Sequence, residues 1–141
     1  ILFKPSPMNE YVLKCNLSLV SVFVLNEVEG EQLTGTKIPT AILDKLLQKY
    51  PHAAAVLTLG SKGAWYAKED KRAFAPAELV RAVDTTAAGD TFTGYFMRGM
   101  LDGLSPKKSL ILAAKAAAIA VSRPGAAPSI PLYAEVMSER N

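Results

Sequence analysis

The sequence has 141 residues, a formal net charge of +3, and a composition that is 50% hydrophobic and 21% charged. This length is typical of one domain, and the apolar content excludes long disordered segments, which are poor in apolar residues and rich in charge. The most apolar stretch, residues 110–121, is much shorter than the ~20 residues that a membrane-spanning helix requires, so no membrane partner is expected.

The basic residues do not point to a nucleic-acid partner. The 16 lysine and arginine side chains are scattered along the chain, whereas a nucleic-acid-binding surface gathers them into a stripe. The one cysteine, Cys15, has no second cysteine to pair with and is expected to be a small buried residue. The start of the sequence lacks the pattern of a secretory signal, so a reducing, cytoplasmic location is expected.

Alternating strand-like and helix-like segments predict a layered α/β domain. Residues 1–3 resemble a strand, and a weak helical pattern follows as far as Leu13. Residues 19–25 predict a buried strand, since most of them are β-branched or large and apolar. Residues 26–29 open a short helix that ends at Gly35. The next helix is expected to begin at Pro39, and its apolar face is formed by Ile42, Leu43, Leu46, Leu47 and Tyr50.

The second half of the chain continues the alternation. Residues 53–59 predict a second buried strand, which ends at a glycine-containing turn, and residues 64–67 and 72–75 predict a hairpin. A loop of small and polar residues at 84–89 leads into a helix from about Asp90 to Leu101. Ser105 and Pro106 are typical of a helix start, and this helix should continue to about Val121. Residues 123–129 are expected to form a loop, and Pro131 to start a short final helix.

The segment most informative about chemistry is VDTTAAGDTF, residues 83–92. Ala87, Ala88 and Gly89 have little bulk, so a ligand can approach their backbone closely. They lie just before a predicted helix, whose N–H groups and dipole favour an anion such as phosphate. Asp90, at the same helix start, would stay ionised and could accept a proton from a substrate hydroxyl. The spacing alone favours the simpler interpretation, a helix cap.

Together with three other segments, this one resembles the ribokinase-like (PfkB-type) carbohydrate kinase family. The others are NEVEGEQLTG at 26–35, TLGSKGAW at 58–65, and AAAIAV at 116–121 with RPGAAPSIP at 123–131. All four occur in the family's order and at its spacing. The segment from Asp84 to Asp90 is specific by itself, whereas each of the others would be a weak signal alone.

The resemblance implies a three-layer α/β/α ribokinase-like fold. Residues 1–141 would be its C-terminal, ATP-binding part, without the N-terminal half that carries the sugar-binding segment and a small β lid. The implied activity of the full protein is transfer of the γ-phosphoryl group of ATP to a sugar hydroxyl, most closely the reaction that converts D-ribose to ribose 5-phosphate. The alternatives are a family member acting on fructose, a deoxygluconate or a nucleoside, and a non-catalytic nucleotide-binding fragment.

The resemblance also implies partners for the chain. The isolated chain is expected to be inactive, because the sugar side is missing, so the N-terminal half of the kinase is itself a partner. Sugar and ATP are the small-molecule partners, with Mg²⁺ and a monovalent cation as cofactors. A homodimer of the full-length protein is compatible with the resemblance, since family dimers commonly use the lid.

The resemblance assigns roles to individual residues. Asp90 matches the catalytic base that contacts the sugar hydroxyl, and Ala87, Ala88 and Gly89 match the anion hole that holds phosphoryl charge. Asn26 and Glu29 match a pair that acts near the phosphates and Mg²⁺, largely through water, although a capping box has the same spacing. The residues that match the nucleotide-contacting strand end are Thr58, Gly60, Ser61 and Gly63.

Six residues match a monovalent-cation site of the family, whose backbone carbonyls and side-chain oxygens suit K⁺. They are Asp84, Thr86, Ala120, Arg123, Gly125 and Ser129. The alternative is that these residues only build a rigid loop and end a strand. The chain contains neither a Walker loop nor a G-x-G-x-x-G fingerprint, which argues against a dinucleotide-dependent oxidoreductase.

Overall fold

The computed structural model describes residues 1–5, 9–125 and 129–138. The chain divides into two compact units. The first comprises Ile1–Gly60 and Ala64–Ala73, and the second comprises Ser61–Gly63 and Phe74–Asn141. Among the described residues, no helix is long and apolar enough to cross a membrane.

The first unit is built on a mixed sheet whose five strands lie side by side in chain order. The strands are β1 (Leu2–Phe3), β2 (Val22–Asn26), β3 (Ala54–Thr58), β4 (Ala64–Lys68) and β5 (Lys71–Ala75), the last of which continues into the second unit. The first three strands are parallel, and β4 is antiparallel to β3. The central parallel strands are buried nearly throughout, because helices cover parallel sheets.

The helices of this unit are α1 (Glu10–Leu13), α2 (Glu27–Thr34) and α3 (Pro39–Lys49). Pro39 occupies the first position of α3, and α2 ends at Gly35, whose φ of 78° is left-handed and favours glycine. Both α2 and α3 contact the central strands. Four of the five residues predicted for the apolar face of α3 are buried, namely Ile42, Leu43, Leu46 and Leu47, whereas Tyr50 is the C-cap residue and is half-buried.

The α-helices in the described part of the second unit are α4 (Ala88–Leu101), α5 (Pro106–Val121) and α6 (Tyr133–Ser138). The Ser105 hydroxyl accepts a hydrogen bond from the amide of Lys108 at 3.2 Å, so the predicted cap of α5 is confirmed. The helices α4 and α5 pack against each other along their length. Val136 of α6 is fully buried in a cluster with Leu112, Ala116 and Ile119 of α5, against which Tyr95 of α4 also packs.

Three predicted boundaries differ from the structure by two residues or more. The strand β2 begins at Val22 rather than residue 19, because residues Leu17–Leu19 form a 3₁₀ turn capped by the Asn16 side chain. The helix α4 begins at Ala88 rather than Asp90, since alanine joins a helix readily. The helix α6 begins at Tyr133, two residues after Pro131. Cys15 was expected to be buried and is instead exposed.

The helices α4 and α5 approach each other closely at Gly99. A Cβ atom added to Gly99 would lie 2.7 Å from the Oγ atom of Ser109 and 3.1 Å from its Cα atom. Ser109 is fully buried, and its hydroxyl has no hydrogen-bond partner among the described residues. At Gly94, on the same helix, an added Cβ would have no described atom within 4 Å apart from its chain neighbours and the adjacent backbone of α4.

This contrast predicts opposite effects of the same substitution at two positions of α4. Gly99→Ala should lower the free energy of unfolding by about 1–3 kcal/mol, because the added methyl group overpacks the crossing. Gly94→Ala should raise it by up to about 1 kcal/mol, because alanine is the better helix former and has room. Urea denaturation measures both values, and equal effects at the two positions would contradict the close crossing.

Candidate active site

The first turn of α4 carries the segment that the sequence singled out. Ala87 is the N-cap residue, and Ala88, Gly89 and Asp90 are the first three helical residues. The first amides of a helix have no carbonyl partner within it, and alanine has no side-chain oxygen that could cap them. An N-terminus of this kind favours an anion, both through its N–H groups and through the helix dipole.

Small side chains and exposure make this turn accessible. Gly89 and Asp90 are exposed, whereas Ala87 is buried beneath the turn. The amide of Ala88 donates to the carbonyl oxygen of Thr85 at 3.2 Å, and that of Thr91 donates to the carbonyl oxygen of Ala87 at 2.9 Å. These bonds fix the turn in a helical geometry, and Asp90 lies exposed in this turn.

The Asp84 carboxylate organises the loop before this helix. One of its oxygens accepts hydrogen bonds from the Thr86 amide at 2.8 Å and from the Thr86 hydroxyl. The other accepts a hydrogen bond from the Gly125 amide at 3.1 Å. These bonds, those from Thr86 above all, hold the pKa of the Asp84 carboxyl below its usual value.

Backbone bonds reinforce this link. The amides of Val83 and Asp84 both donate to the carbonyl oxygen of Val121, at 2.6 and 3.1 Å. The end of α5 and the loop before α4 are therefore joined by three hydrogen bonds, although they lie about 40 positions apart in the chain. Three of the six predicted cation-site residues, Asp84, Thr86 and Gly125, come together in this way.

The other three predicted cation-site residues lie nearby in the chain. Ala120 is buried in the last turn of α5, and its carbonyl oxygen accepts a hydrogen bond from the Arg123 amide at 3.2 Å. Ser129 is buried, and residues 126–128 before it lie outside the described residues. Carboxylate, hydroxyl and carbonyl oxygens form a hard donor set, which fits an alkali cation such as K⁺ rather than a soft metal.

In the first unit, Asn26 and Glu29 form a capping box at the start of α2. The Asn26 side chain accepts a hydrogen bond from the Glu29 amide at 2.8 Å, and the Glu29 carboxylate accepts one from the Asn26 amide at 2.9 Å. The capping interpretation is thereby confirmed, and Glu29 is buried. Its carboxylate also suits Mg²⁺, which is usually held by one or two carboxylates together with water and substrate phosphates.

Thr58 lies beside Asn26 at the same edge of the sheet. The two are paired in register as the last residues of the parallel strands β2 and β3, and the Thr58 hydroxyl donates to the carbonyl oxygen of Leu25 at 3.3 Å. Open α/β sheets bind ligands beyond the carboxyl ends of their parallel strands. Asn26 and Thr58 therefore lie at the edge of the sheet where ligands of such folds are usually found.

The turn after β3 contains the other predicted nucleotide-contacting residues. Gly60 and Ser61 begin a 3₁₀ turn, and Gly60 is exposed with a φ of 59°. Gly63 has a φ of 117°, and an added Cβ would lie 2.3 Å from the carbonyl oxygen of Ala75. Packing alone therefore requires glycine at position 63, which the sequence pattern did not reveal.

Sequence reasoning missed Glu135. Its carboxylate forms an ion pair with Arg123, which lies 12 positions earlier. The sequence offered no signal for it, because a lone glutamate in a short helix is ordinarily a surface residue.

Comparison with known proteins decides the family. Residues 2–132 match the model of the pfkB family carbohydrate kinases. The chain belongs to this family. The resemblance inferred from the sequence is thus confirmed, and so are the α/β fold and the membership of a kinase family.

Ribokinases are prominent among the relatives of this pfkB-family chain. A ribokinase of Schizosaccharomyces pombe is 48% identical over 128 residues, which are 85% of this chain and 40% of that protein. The crystal structure of a Thermotoga maritima ribokinase is 32% identical with a TM-score of 0.82, covering 97% of this chain and 47% of that one. A structure of Arabidopsis thaliana ribokinase with ribose and ATP is 28% identical with a TM-score of 0.83, covering 97% and 46%. This chain therefore spans less than half the length of these relatives.

The lowered pKa of Asp84 predicts an acid-dependent loss of stability. A carboxyl whose pKa is lower in the folded than in the unfolded state stabilises the fold at pH values above its unfolded-state pKa, which is about 3.9 for Asp. This contribution is lost as the pH falls through the pKa of the folded state. Asp84→Asn should therefore lower Tm at about pH 7, and the difference from wild type should shrink below about pH 4. Thermal unfolding across this range measures it, with Asp70→Asn as a matched surface control. A pH-independent difference would contradict the assignment.

Proposed function

We propose that the complete protein carrying this sequence is an ATP-dependent sugar kinase that phosphorylates the 5-hydroxyl of D-ribose. The observation that carries the proposal is the exposed first turn of α4, where small residues and Asp90 lie at an uncapped helix start. The relatives support the ribose assignment, because a ribokinase is 48% identical and another was solved with ribose and ATP.

The proposed reaction transfers one phosphoryl group. The sugar hydroxyl oxygen forms a bond to the γ-phosphorus of ATP while the bond from that phosphorus to the bridging oxygen breaks, and ADP leaves. Asp90 accepts the hydroxyl proton, and the amides of Ala87, Ala88 and Gly89 stabilise the charge on the phosphoryl oxygens. Phosphoryl transfer depends mainly on such positioning and charge stabilisation, so a backbone site on a rigid helix is well suited to it.

The other residues would bind rather than react. Thr58, Gly60, Ser61 and Gly63 would border the nucleotide, with Gly63 also required by packing. Asn26 and Glu29 would act near the phosphates, where Mg²⁺, when bound, neutralises phosphate charge. The oxygens that would hold K⁺ belong to Asp84, Thr86, Ala120, Arg123, Gly125 and Ser129, so that the ion would steady the loop before α4.

The remaining features of the proposal concern the complete protein. Residues 1–141 would be its C-terminal, ATP-binding part, and the N-terminal half found in relatives would supply the sugar contacts. The chain alone would bind adenine nucleotide weakly without turnover, because catalysis needs both reactants held in register. We also propose a cytoplasmic location, where the exposed thiol of Cys15 would stay reduced, and a homodimer of the complete protein.

A substitution at Asp90 tests the chemistry. In the complete kinase, Asp90→Asn should lower kcat by about 10²–10⁴, because the general base is lost while the side chain keeps its size. ATP affinity should stay within about threefold, since the anion-binding groups belong to the backbone. Steady-state kinetics at saturating sugar and calorimetry of nucleotide binding measure the two effects.

A matched control lies at the other end of the same helix. Asp102→Asn removes the exposed ion pair that Asp102 forms with Arg98 at 2.8 Å and should leave kcat unchanged. If Asp90→Asn behaves like this control, Asp90 only stabilises the helix start. A panel of ribose, fructose, a deoxygluconate and a nucleoside identifies the substrate, and absence of turnover with all four would favour the non-catalytic alternative.

Monovalent cations provide a second test. If the Asp84 loop holds K⁺, the complete kinase should turn over faster in KCl than in NaCl or tetramethylammonium chloride at equal ionic strength, because the ion's charge and ligands order the loop. KCl should also raise Tm, since a ligand that binds only the folded state stabilises it. Equal rates and equal Tm in all three salts would refute the cation site.

A further inference from the structure

An ion pair joins α6 to the loop that follows α5. The Arg123 guanidinium donates a hydrogen bond to one oxygen of the Glu135 carboxylate, and the other oxygen accepts one from the Leu132 amide at 3.1 Å. Both charged side chains are about one-third exposed, at 37% and 36%. The pairing with Arg123 lowers the pKa of Glu135, so this carboxylate is charged at neutral pH.

The helix α6 is held in place by other contacts as well. The Tyr95 hydroxyl donates to the carbonyl oxygen of Pro131 at 2.6 Å, and the rings of Tyr95 and Tyr133 lie parallel with centroids 6.4 Å apart. The Arg98 guanidinium lies 4.2 Å from the centre of the Tyr133 ring, and Val136 is fully buried. If the charge of Glu135 is removed, these contacts should keep α6 in place. The loss of the ion pair should instead loosen the segment that contains Arg123.

That segment is held from its other side by Asp84. Gly125, two residues after Arg123, donates its amide hydrogen to the Asp84 carboxylate, and Val121, two residues before, accepts two hydrogen bonds from Val83 and Asp84. Asp84 in turn holds Thr86, immediately before the N-cap of α4. Polar contacts at each end of the short backbone segment 121–125 thus connect Glu135 with the turn that contains Asp90.

We propose that Glu135 is a positioning residue, which acts through Arg123 to hold residues 121–125 against Asp84 and thereby sets the geometry of the first turn of α4. Only the expected change in kcat rests on the proposed function. Among the described residues, the side chain of Glu135 forms its hydrogen bonds with Arg123 and Leu132, neither of which is assigned to sugar or nucleotide, so its effect would pass through the loop. A role limited to anchoring α6 would affect stability alone.

The test compares Glu135→Gln with the wild type in the complete kinase. Glutamine keeps an oxygen that can accept the Leu132 amide but lacks the charge that pairs with Arg123. In the Glu135→Gln variant, peptides containing the Thr86 and Gly125 amides should exchange hydrogen about fivefold faster than in the wild type, because local opening of this loop becomes easier. The kcat value should fall about tenfold while KM for the sugar stays constant, because displacement of the phosphate-binding turn impairs positioning rather than sugar binding.

The control is Asp44→Asn, which removes a 3.1 Å ion pair with Arg72 within the first unit and should change neither readout. The double variant Arg123→Gln with Glu135→Gln should be no more impaired than either single variant, because the two residues act as one pair. Additive losses would contradict this mechanism.

The outcomes separate the two proposals. A lower Tm with unchanged exchange and unchanged kcat would reduce Glu135 to an anchor of α6 and overturn the inference. If the wild-type protein shows no sugar-dependent turnover, the proposed function fails, and exchange at Thr86 and Gly125 still decides whether Glu135 positions the loop.

Discussion

The candidate site of the second unit depends on the hydrogen bonds that the Asp84 carboxylate accepts. A turn of small residues has little side-chain packing of its own, so its geometry must come from hydrogen bonds. Asp84 provides them at both oxygens, to Thr86 within the turn and to Gly125 at the end of α5. Because an ionised carboxylate accepts stronger hydrogen bonds than a neutral group, one side chain can hold these two loops together.

The capping box of α2 shows how one pair of residues can serve two purposes. The hydrogen bonds between Asn26 and Glu29 stabilise the helix start and at the same time bury a carboxylate at the carboxyl edge of the sheet. Each of these hydrogen bonds already fixes the rotamer of one side chain. An ion that binds these side chains through water would therefore not have to order them at an entropic cost. The structural and the functional interpretation of this motif are therefore compatible.

Most of the fold could be predicted from the sequence, because its signals are local. Pro39 and the spacing of the leucines determine α3, and Ser105 with Pro106 determines the start of α5. The predicted start of β2 was wrong because the Asn16 side chain caps a 3₁₀ turn, and the apolar residues of that turn have the same pattern as a strand. The site was less accessible to sequence reasoning, since the contact between Asp84 and Gly125 spans 41 positions and the pairing of Arg123 with Glu135 depends on how α6 packs. The steric need for Gly63 appears only when β5 is placed beside it.

The reversal of direction between β3 and β4 has a practical consequence. Thr58 is paired with Ala64 and Ala54 with Lys68, so the turn between β4 and β5 lies at the sheet edge opposite to Asn26 and Thr58, about 13 Å away along β3. Glu69 in that turn has a positive φ of 53°, a conformation that a longer, glycine-rich loop would relieve. A fluorescent label or an affinity tag inserted between Glu69 and Asp70 would therefore report on this unit without obstructing the edge that carries Asn26 and Thr58.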